Sequence, residues 1–331
     1  MHAMQMSRSL ISALKLLFTL LLLYLVFQSI DISKITGDLS GFDWKLLILL
    51  LVVCWLGQFL CSERWRILAA SLKMPGSYRS FVQMYFAGMF FNIGLPSLIG
   101  GDAIKAYILS RKTGKPLHLG LASVLQDRAS GLLTLLLYGS AAIILFPLSW
   151  RGFPLWIAYL VAWLGVGLVL ALVLQGERLY SRFLHPGSRT LLQKALRTIA
   201  EFHRAVGSCD IRKGALFRVT LYSFINSALV LWIFQQVTVA AGYRVPIVPF
   251  SALYPLVTLA TMLPVTLSGL GVREWFYVEA LSLLGIPRNA GLCISLATSA
   301  LLLLCNFAGI VVLPGIPSEL RHAGQRFAND E

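Results

Sequence analysis

Long apolar runs separated by short basic stretches set the pattern of this chain. Residues 10–30 and 44–62 each read as a membrane-length run, the second closing on Glu63, Arg64 and Arg66 with Lys73 and Arg79 behind it. An apolar stretch resumes at Ser80, runs to Phe91, breaks at Asn92-Ile93-Gly94-Leu95-Pro96 and emerges at Lys105, Arg111, Lys112 and Lys115. Basic clusters at both ends predict that this segment enters and leaves the membrane from one face, as a re-entrant hairpin does. Residues 117–146 are long enough to cross with tilt at about 1.5 Å per residue, and 154–174 cross back. Residues 214–241 cross again, 247–286 hold a second broken stretch, and 288–313 make the last crossing. Lys and Arg collect on the cytoplasmic side of such proteins, so the basic ends, and both termini with them, are expected to face the cytoplasm.

The two broken stretches share a skeleton. Leu95-Pro96 and, 168 residues later, Leu263-Pro264 each open a copy of L-P-x4-G-x3-[K/R]-x-[Y/W]. In this alignment Gly101 matches Gly269, Lys105 matches Arg273 and Tyr107 matches Trp275. Proline removes a backbone donor and glycine permits conformations a helix does not use. Broken backbone at membrane depth survives only where protein or a water-filled cavity satisfies the freed polar groups, so Pro96, Gly100, Gly101, Pro264, Gly269 and Gly271 are expected to form hairpin tips. The same offset carries 46–62 onto 214–230 and 120–146 onto 288–314, and the first unit begins outside where its copy begins inside. That is the arrangement of inverted-repeat transporters. The predicted architecture is all-α: a polytopic helical membrane protein with six full spans plus two re-entrant helical hairpins, forming one membrane domain over 1–331. Repeat unit 1 covers about 44–146 and unit 2 about 212–314, with a basic cytoplasmic segment at 176–213 between them. In that segment Leu191, Leu192, Ala195, Leu196, Ile199, Phe202 and Val206 fall near helical spacing, which suits either an amphipathic helix on the inner membrane surface or a solvated linker.

Composition agrees with a membrane chain: 57% of the residues are apolar and 13% charged, against about a quarter charged in soluble proteins. The net charge of +14 sits between apolar runs, where orientation and an anionic inner leaflet account for it, and nucleic acid is not an expected partner. Arg8 and Lys15 ahead of Leu16–Phe27 resemble a signal peptide, but no small-x-small site precedes Asp31, so this run reads as a retained first span. The five cysteines contain no CxxC pair, and the five histidines have no two at ligand spacing. No metal site and no cofactor are expected.

Charges inside a bilayer are expensive and usually functional. Here they are Asp102, Lys105, Asp127, Arg128, Arg273, Glu274 and Glu279. Asp127 lies about 15 Å into its span at helical rise. Asp127 and Arg128 are neighbours in sequence and do not face one another on a helix, so Asp127 or Asp102 is expected to meet a basic residue of a hairpin. Arg128 is expected to meet Asp102, Glu274 or a lipid phosphate. Lys105, Arg128 and Arg273 are the candidate headgroup contacts, with Asp102, Asp127 and Glu274 as their charge partners. LIGGDAIK lacks P-loop spacing and SGLGVRE lacks the context of a dinucleotide fold. No histidine stands near Ser97 or Ser268, and no catalytic constellation is recognisable.

The strings FNIGLPSLIGGDAIKAYIL, SVLQDRASGLL and LPVTLSGLGVREWFYVEALSLLG resemble the three blocks of the lysylphosphatidylglycerol synthase transmembrane-region family, also called UPF0104, in order and over nearly the whole chain. The best understood relatives are multiple peptide resistance factors, where this region is similar to a lipid flippase domain. The resemblance implies an inner-membrane protein that handles lipid headgroups, with the family's motif residues falling on Pro96, Gly100, Gly101, Asp102, Asp127, Arg128, Gly131, Gly269, Gly271, Arg273 and Glu274. It also implies that the aminoacyl-transferring synthase domain of those relatives is missing here, and that Lys105 stands where many relatives carry arginine. The expected function is translocation of an anionic or phosphate-bearing lipid, aminoacylated or polyprenyl among the options, across the inner membrane. Phospholipid or polyprenyl phosphate would be the partner. An accessory subunit serving a lipid-modifying glycosyltransferase, and an integral membrane enzyme acting on a lipid phosphate, stay open as alternatives. A lipid-modifying enzyme and a second copy of the chain are further candidate partners.

Overall fold

Apolar side chains on all sides and a polar cap at one end make the first helix. Asp43 caps α1 (Trp44–Ser71) by accepting from the Lys45 amide at 2.9 Å, and the helix ends where Lys73 takes a left-handed φ of 58°. The computed structural model describes residues 43–94, 100–183, 212–262 and 271–310. The run at 10–30, the stretches 95–99 and 263–270 with Pro96, Pro264 and Gly269, and residues 184–211 of the basic segment lie outside the described residues. After α1 come α2 (Tyr78–Gly94), α3 (Gly100–Thr113) and α4 (Leu117–Leu145). A two-residue ladder, β1 (Ser149–Trp150) on β2 (Phe153–Pro154), turns the chain into α5 (Trp156–Phe183). Then follow α6 (Lys213–Ala240), α7 (Ile247–Met262), α8 (Val272–Leu283) and α9 (Arg288–Phe307).

Among the described residues four helices are long and apolar enough to cross a membrane: α1, α4, α6 and the stretch Arg288–Ile310 that contains α9. They leave Ile48, Val52, Ile144, Phe217 and Leu303 exposed, outward apolar surface of the kind lipid covers. Each broken stretch gives two shorter helices. Within the first, Gly101 N donates to Asn92 Oδ1 at 2.9 Å, the Lys105 stem crosses Gly88, and Lys112 Nζ meets Ser80 Oγ at 3.1 Å. As one partner's number rises the other's falls, so α2 and α3 run antiparallel.

The principal helix pairings keep their form when α1 to α4 are exchanged with α6 to α9. The pairs α1·α2, α2·α3 and α3·α4 recur as α6·α7, α7·α8 and α8·α9, while α4·α7 and α4·α6 recur as α9·α2 and α9·α1. The helices α1 and α6 pack on each other. They also run antiparallel: Gly57 abuts Asn226, Arg64 reaches Ser223, and Ile67 and Val219 share one apolar cluster. The chain repeats its turns as well. Gly114 (φ 63°) ends α3 and Pro116 is the N-cap of α4, just as Gly285 (φ 82°) ends α8 and Pro287 is the N-cap of α9. The ordering rests on small residues at helix crossings, since membrane helices gain little from mutual hydrophobicity and must approach closely to pack. A Cβ on Gly120 would stand 2.5 Å from Ala106 O, which α4 cannot accommodate without backing off α3.

The expected result for Gly120→Val is a loss of about 1–3 kcal/mol or more from overpacking, read as a lowered thermal unfolding midpoint of the detergent-purified chain. Gly165→Val, on the exposed face of α5 with nothing within 4 Å, should leave the midpoint unchanged. Equal effects at both positions would refute close packing at the α3·α4 crossing.

Candidate functional site: a buried cationic chamber

On α1 the buried positions Cys54, Gly57, Cys61, Arg64, Trp65 and Leu68 form a stripe at helical spacing, so Arg64 points inward while Glu63 and Arg66 pair beside it at 2.6 Å. The Arg64 guanidinium donates through Nε to Asp127 Oδ1 at 2.7 Å and through Nη1 to Ser223 Oγ at 3.1 Å. Both charged side chains are almost fully buried, at 5% and 1% exposure. Gly131, one turn after Asp127, leaves the space that the guanidinium fills, since a Cβ there would lie 3.3 Å from Nη1. This network ties α1, α4 and α6 together, and Trp65 adds a bond from its indole N–H to Ser123 Oγ at 3.1 Å.

A second network faces it. Asp102, in the first turn of α3, takes Lys105 Nζ at 2.8 Å on one oxygen and Arg128 Nε at 2.7 Å on the other. Lys105 also lies 4.2 Å from the centre of the Tyr85 ring, a position where the ring face favours a cation. Between the networks is a chamber of about 280 Å³, bounded by Gln58, Asn92 and Asn226 and by Tyr254, Thr258 and Met262 of α7, as well as by Arg64, Lys105, Asp127 and Arg128. Three cations stand against two carboxylates, which leaves an excess of one positive charge. Arg128 is the accessible cation of the three: 43% of its side chain is exposed, against 5% for Arg64 and 5% for Lys105.

Lys105, Arg128, Asp102 and Asp127 therefore come together, whereas Arg273 and Glu274 do not join them. Arg273 Nη2 lies 3.0 Å from Glu274 Oε1. Neighbours in sequence meet here because Glu274 sits in the first turn of α8 and folds back, accepting the Gly271 amide at 2.6 Å on its other oxygen. Gly271 itself holds a left-handed φ of 82°. Gly100 and Gly101 open α3, and Gly101 crosses so close to Gly88 that no side chain would fit.

The expected correspondence of Lys105 with Arg273 is corrected by the contacts. Gly120 on Ala106 has its counterpart in Gly291 on Val278, 3.4 Å from the position a Cβ would take. Tyr85 beside Lys105 matches Tyr254 beside Tyr277, with ring centres 6.5 Å apart. Arg128 on Asp102 matches Ser299 Oγ, which donates to Glu274 Oε1 at 3.4 Å. Lys105 thus corresponds to Tyr277 and Asp102 to Glu274, because the link between α7 and α8 is longer than that between α2 and α3. The second set is nearly neutral. Tyr277 and Thr298, with Tyr254 and Asn226 shared with the chamber, line a small cavity of about 70 Å³.

Arg64 was expected at the cytoplasmic end of its span and is instead buried, the partner of Asp127 in place of a hairpin cation. Its signal was the stripe shared with Gly57 and Cys61. Tyr85 and Asn226 were also missed, with no charge to draw attention to them. Among the described residues no three His, Cys, Asp or Glu side chains gather as a metal site.

Membrane-length helices, paired shorter helices and charges held between them define a multispanning helical membrane protein. The chain belongs to the lysylphosphatidylglycerol synthase transmembrane-region family, whose model matches residues 12–309. It is 23% identical over 305 residues to a UPF0104 membrane protein of Methanocaldococcus jannaschii, covering 86% of this chain and 88% of that one. A UPF0104 membrane protein of Methanothermobacter thermautotrophicus is also 23% identical, over 70% of this chain and 71% of its own. No solved structure matches the chain.

Removing one member of a buried pair leaves a stranded charge and costs about 3–5 kcal/mol, whereas apolar replacement of both is often neutral. Asp127→Asn should therefore lower the thermal midpoint sharply, and Arg64→Met with Asp127→Leu should recover most of the loss. A double variant no more stable than the single one would overturn the assignment of this pair.

Proposed function

We propose that the chain moves a phosphate-bearing lipid headgroup across the inner membrane through the chamber, with Arg128 as the first contact. One observation carries the reading: a buried, net-cationic chamber with an exposed guanidinium, inside a bundle of membrane-length helices. An arginine fork suits phosphate oxygens, and an anion of one charge would neutralise the excess. At about 280 Å³ the chamber is slightly smaller than the roughly 300–1,000 Å³ of drug-sized sites, room for a headgroup whose acyl chains stay in the bilayer. Family membership supports a lipid-related role without naming the lipid.

The exchangeable pairings and the antiparallel α1 and α6 support an inverted repeat of about 44–146 on 212–314, with α2·α3 and α7·α8 as its re-entrant hairpins. Six spans follow if 10–30 and the α5 region cross as well. Basic residues at the C-terminal end of α1 and the N-terminal end of α6 support a cytoplasmic side for that end, the chamber's. The neutral set around Tyr254 and Tyr277 would then be the closed side. Exchange of the two packings opens it in turn, the logic of transporters with paired repeats. Lys105 and Asp102 hold Arg128 in place, and Glu274 keeps Arg273 for the other side.

In liposomes carrying either a fluorescent anionic phospholipid or a labelled polyprenyl phosphate, the purified chain should move one of the two between leaflets. Arg128→Gln should slow that movement at least tenfold, and Arg273→Ala should slow it less. Absence of movement for both lipids, or full activity of Arg128→Gln, would sink the reading. Turnover of either lipid to a product would replace it with an enzyme.

A further inference from the structure

A second polar cavity, of about 360 Å³, shares no lining residue with the chamber. It lies where the end of α1 meets the start of α6, and three arginines converge on it: Arg66 from α1, Arg212 at the helix boundary and Arg218 one turn and a half into α6. Arg66 is braced by the Glu63 carboxylate, which accepts from its Nε at 2.7 Å and its Nη2 at 2.6 Å. Arg212 is the N-cap residue of α6 and its side chain makes no capping bond, and the open space around Gly214 leaves that helix start approachable. The apolar wall is Ile67 and Ala215.

Orientation of the chain requires basic residues on one side of the membrane, but not their convergence. Among the described residues, the guanidinium groups of Arg66, Arg212 and Arg218 line one cleft with the Glu63 carboxylate paired to Arg66, an excess of two positive charges beside a helix start whose N-cap side chain makes no capping bond. Such a concentration is stabilised by an anion. Phosphate is the anion the arginine fork matches best, helix starts favour the same charge, and basic pockets between membrane helices on the cytoplasmic side are known headgroup sites. We infer that this cleft binds a phosphate-bearing anion, supplied either as a lipid headgroup of the adjacent leaflet or as free phosphate. The occupant bridges α1 and α6, the antiparallel pair at the centre of the helix exchange, and so clamps that end of the bundle. Arg66 serves as the fixed contact, and Arg212 and Arg218 close on the anion from the other helix.

The test uses the full-length chain carrying Arg128→Gln, so that the chamber's exposed guanidinium is removed from every measurement. Binding of phosphatidic acid and of inorganic phosphate is followed by native mass spectrometry from a zwitterionic detergent. The added pair Arg212→Gln and Arg218→Gln should lose one bound anion and at least tenfold in affinity, while Arg244→Gln, an exposed arginine beyond the other end of α6, should change nothing. Arg212→Lys with Arg218→Lys keeps the charge but loses the fork, and should weaken binding several-fold. Phosphate that binds alone and displaces phosphatidic acid identifies a free-phosphate site; phosphatidic acid that phosphate fails to displace identifies a lipid site. Unchanged binding of both probes in the Gln pair, or wild-type affinity in the Lys pair, would overturn the proposal, the latter by reducing it to bulk charge.

Discussion

The structure depends on keeping Arg64 and Asp127 charged and paired inside apolar helices. Moving either ion from water to a low-dielectric interior costs several kcal/mol even after relaxation, so the surrounding chain must supply compensation at fixed places. Ser223 provides it from α6 and Gly131 provides the room on α4. These requirements fix the register of three long helices that otherwise offer each other little more than interchangeable aliphatic surface. With α1, α4 and α6 held, Arg128 follows Asp127 on the adjoining face and is presented to Asp102. The second network is in this sense a consequence of the first.

Helices that correspond in packing differ sharply in chemistry. Lys105, Asp127 and Arg128 stand where the other half has Tyr277, Thr298 and Ser299, and the cavity beside the first set is about 280 Å³ against about 70 Å³ beside Tyr277 and Thr298. One backbone framework thus carries a charged interior on one side and an aromatic, hydroxyl-bearing one on the other.

Much of the fold was legible because hydropathy and proline report directly on whether a helix can persist in lipid. The described membrane-length helices fall where the apolar runs predicted them, and the shorter helices α2 and α7 end at Gly94 and Met262, at the predicted breaks. Register across the two halves was less legible. The shared L-P opening aligned Lys105 with Arg273, yet the links that follow differ in length and shift α8 relative to α3. The paired Gly114-Lys115-Pro116 and Gly285-Ile286-Pro287 turns agree with the contacts instead, since both stand between helices that pack alike. Arg64 escaped because a charge closing an apolar run reads as the span's end, whereas α1 continues to Ser71. Only its place in the buried stripe with Gly57 and Cys61 distinguishes it from Arg66.

The difference between the halves can be traced one step further, to how each short helix is capped. A helix begins with unpaired amides that need an acceptor. In α8 Glu274 meets that need itself, giving one carboxylate oxygen to the Gly271 amide. In α3 the Gly101 amide is taken by Asn92 from across the hairpin, and both Asp102 oxygens remain for Lys105 and Arg128. The close Gly88·Gly101 crossing brings Asn92 within reach, so glycine there does more than allow tight packing. It lets a neutral amide cap the Gly101 N–H while the Asp102 carboxylate holds two cations at the chamber.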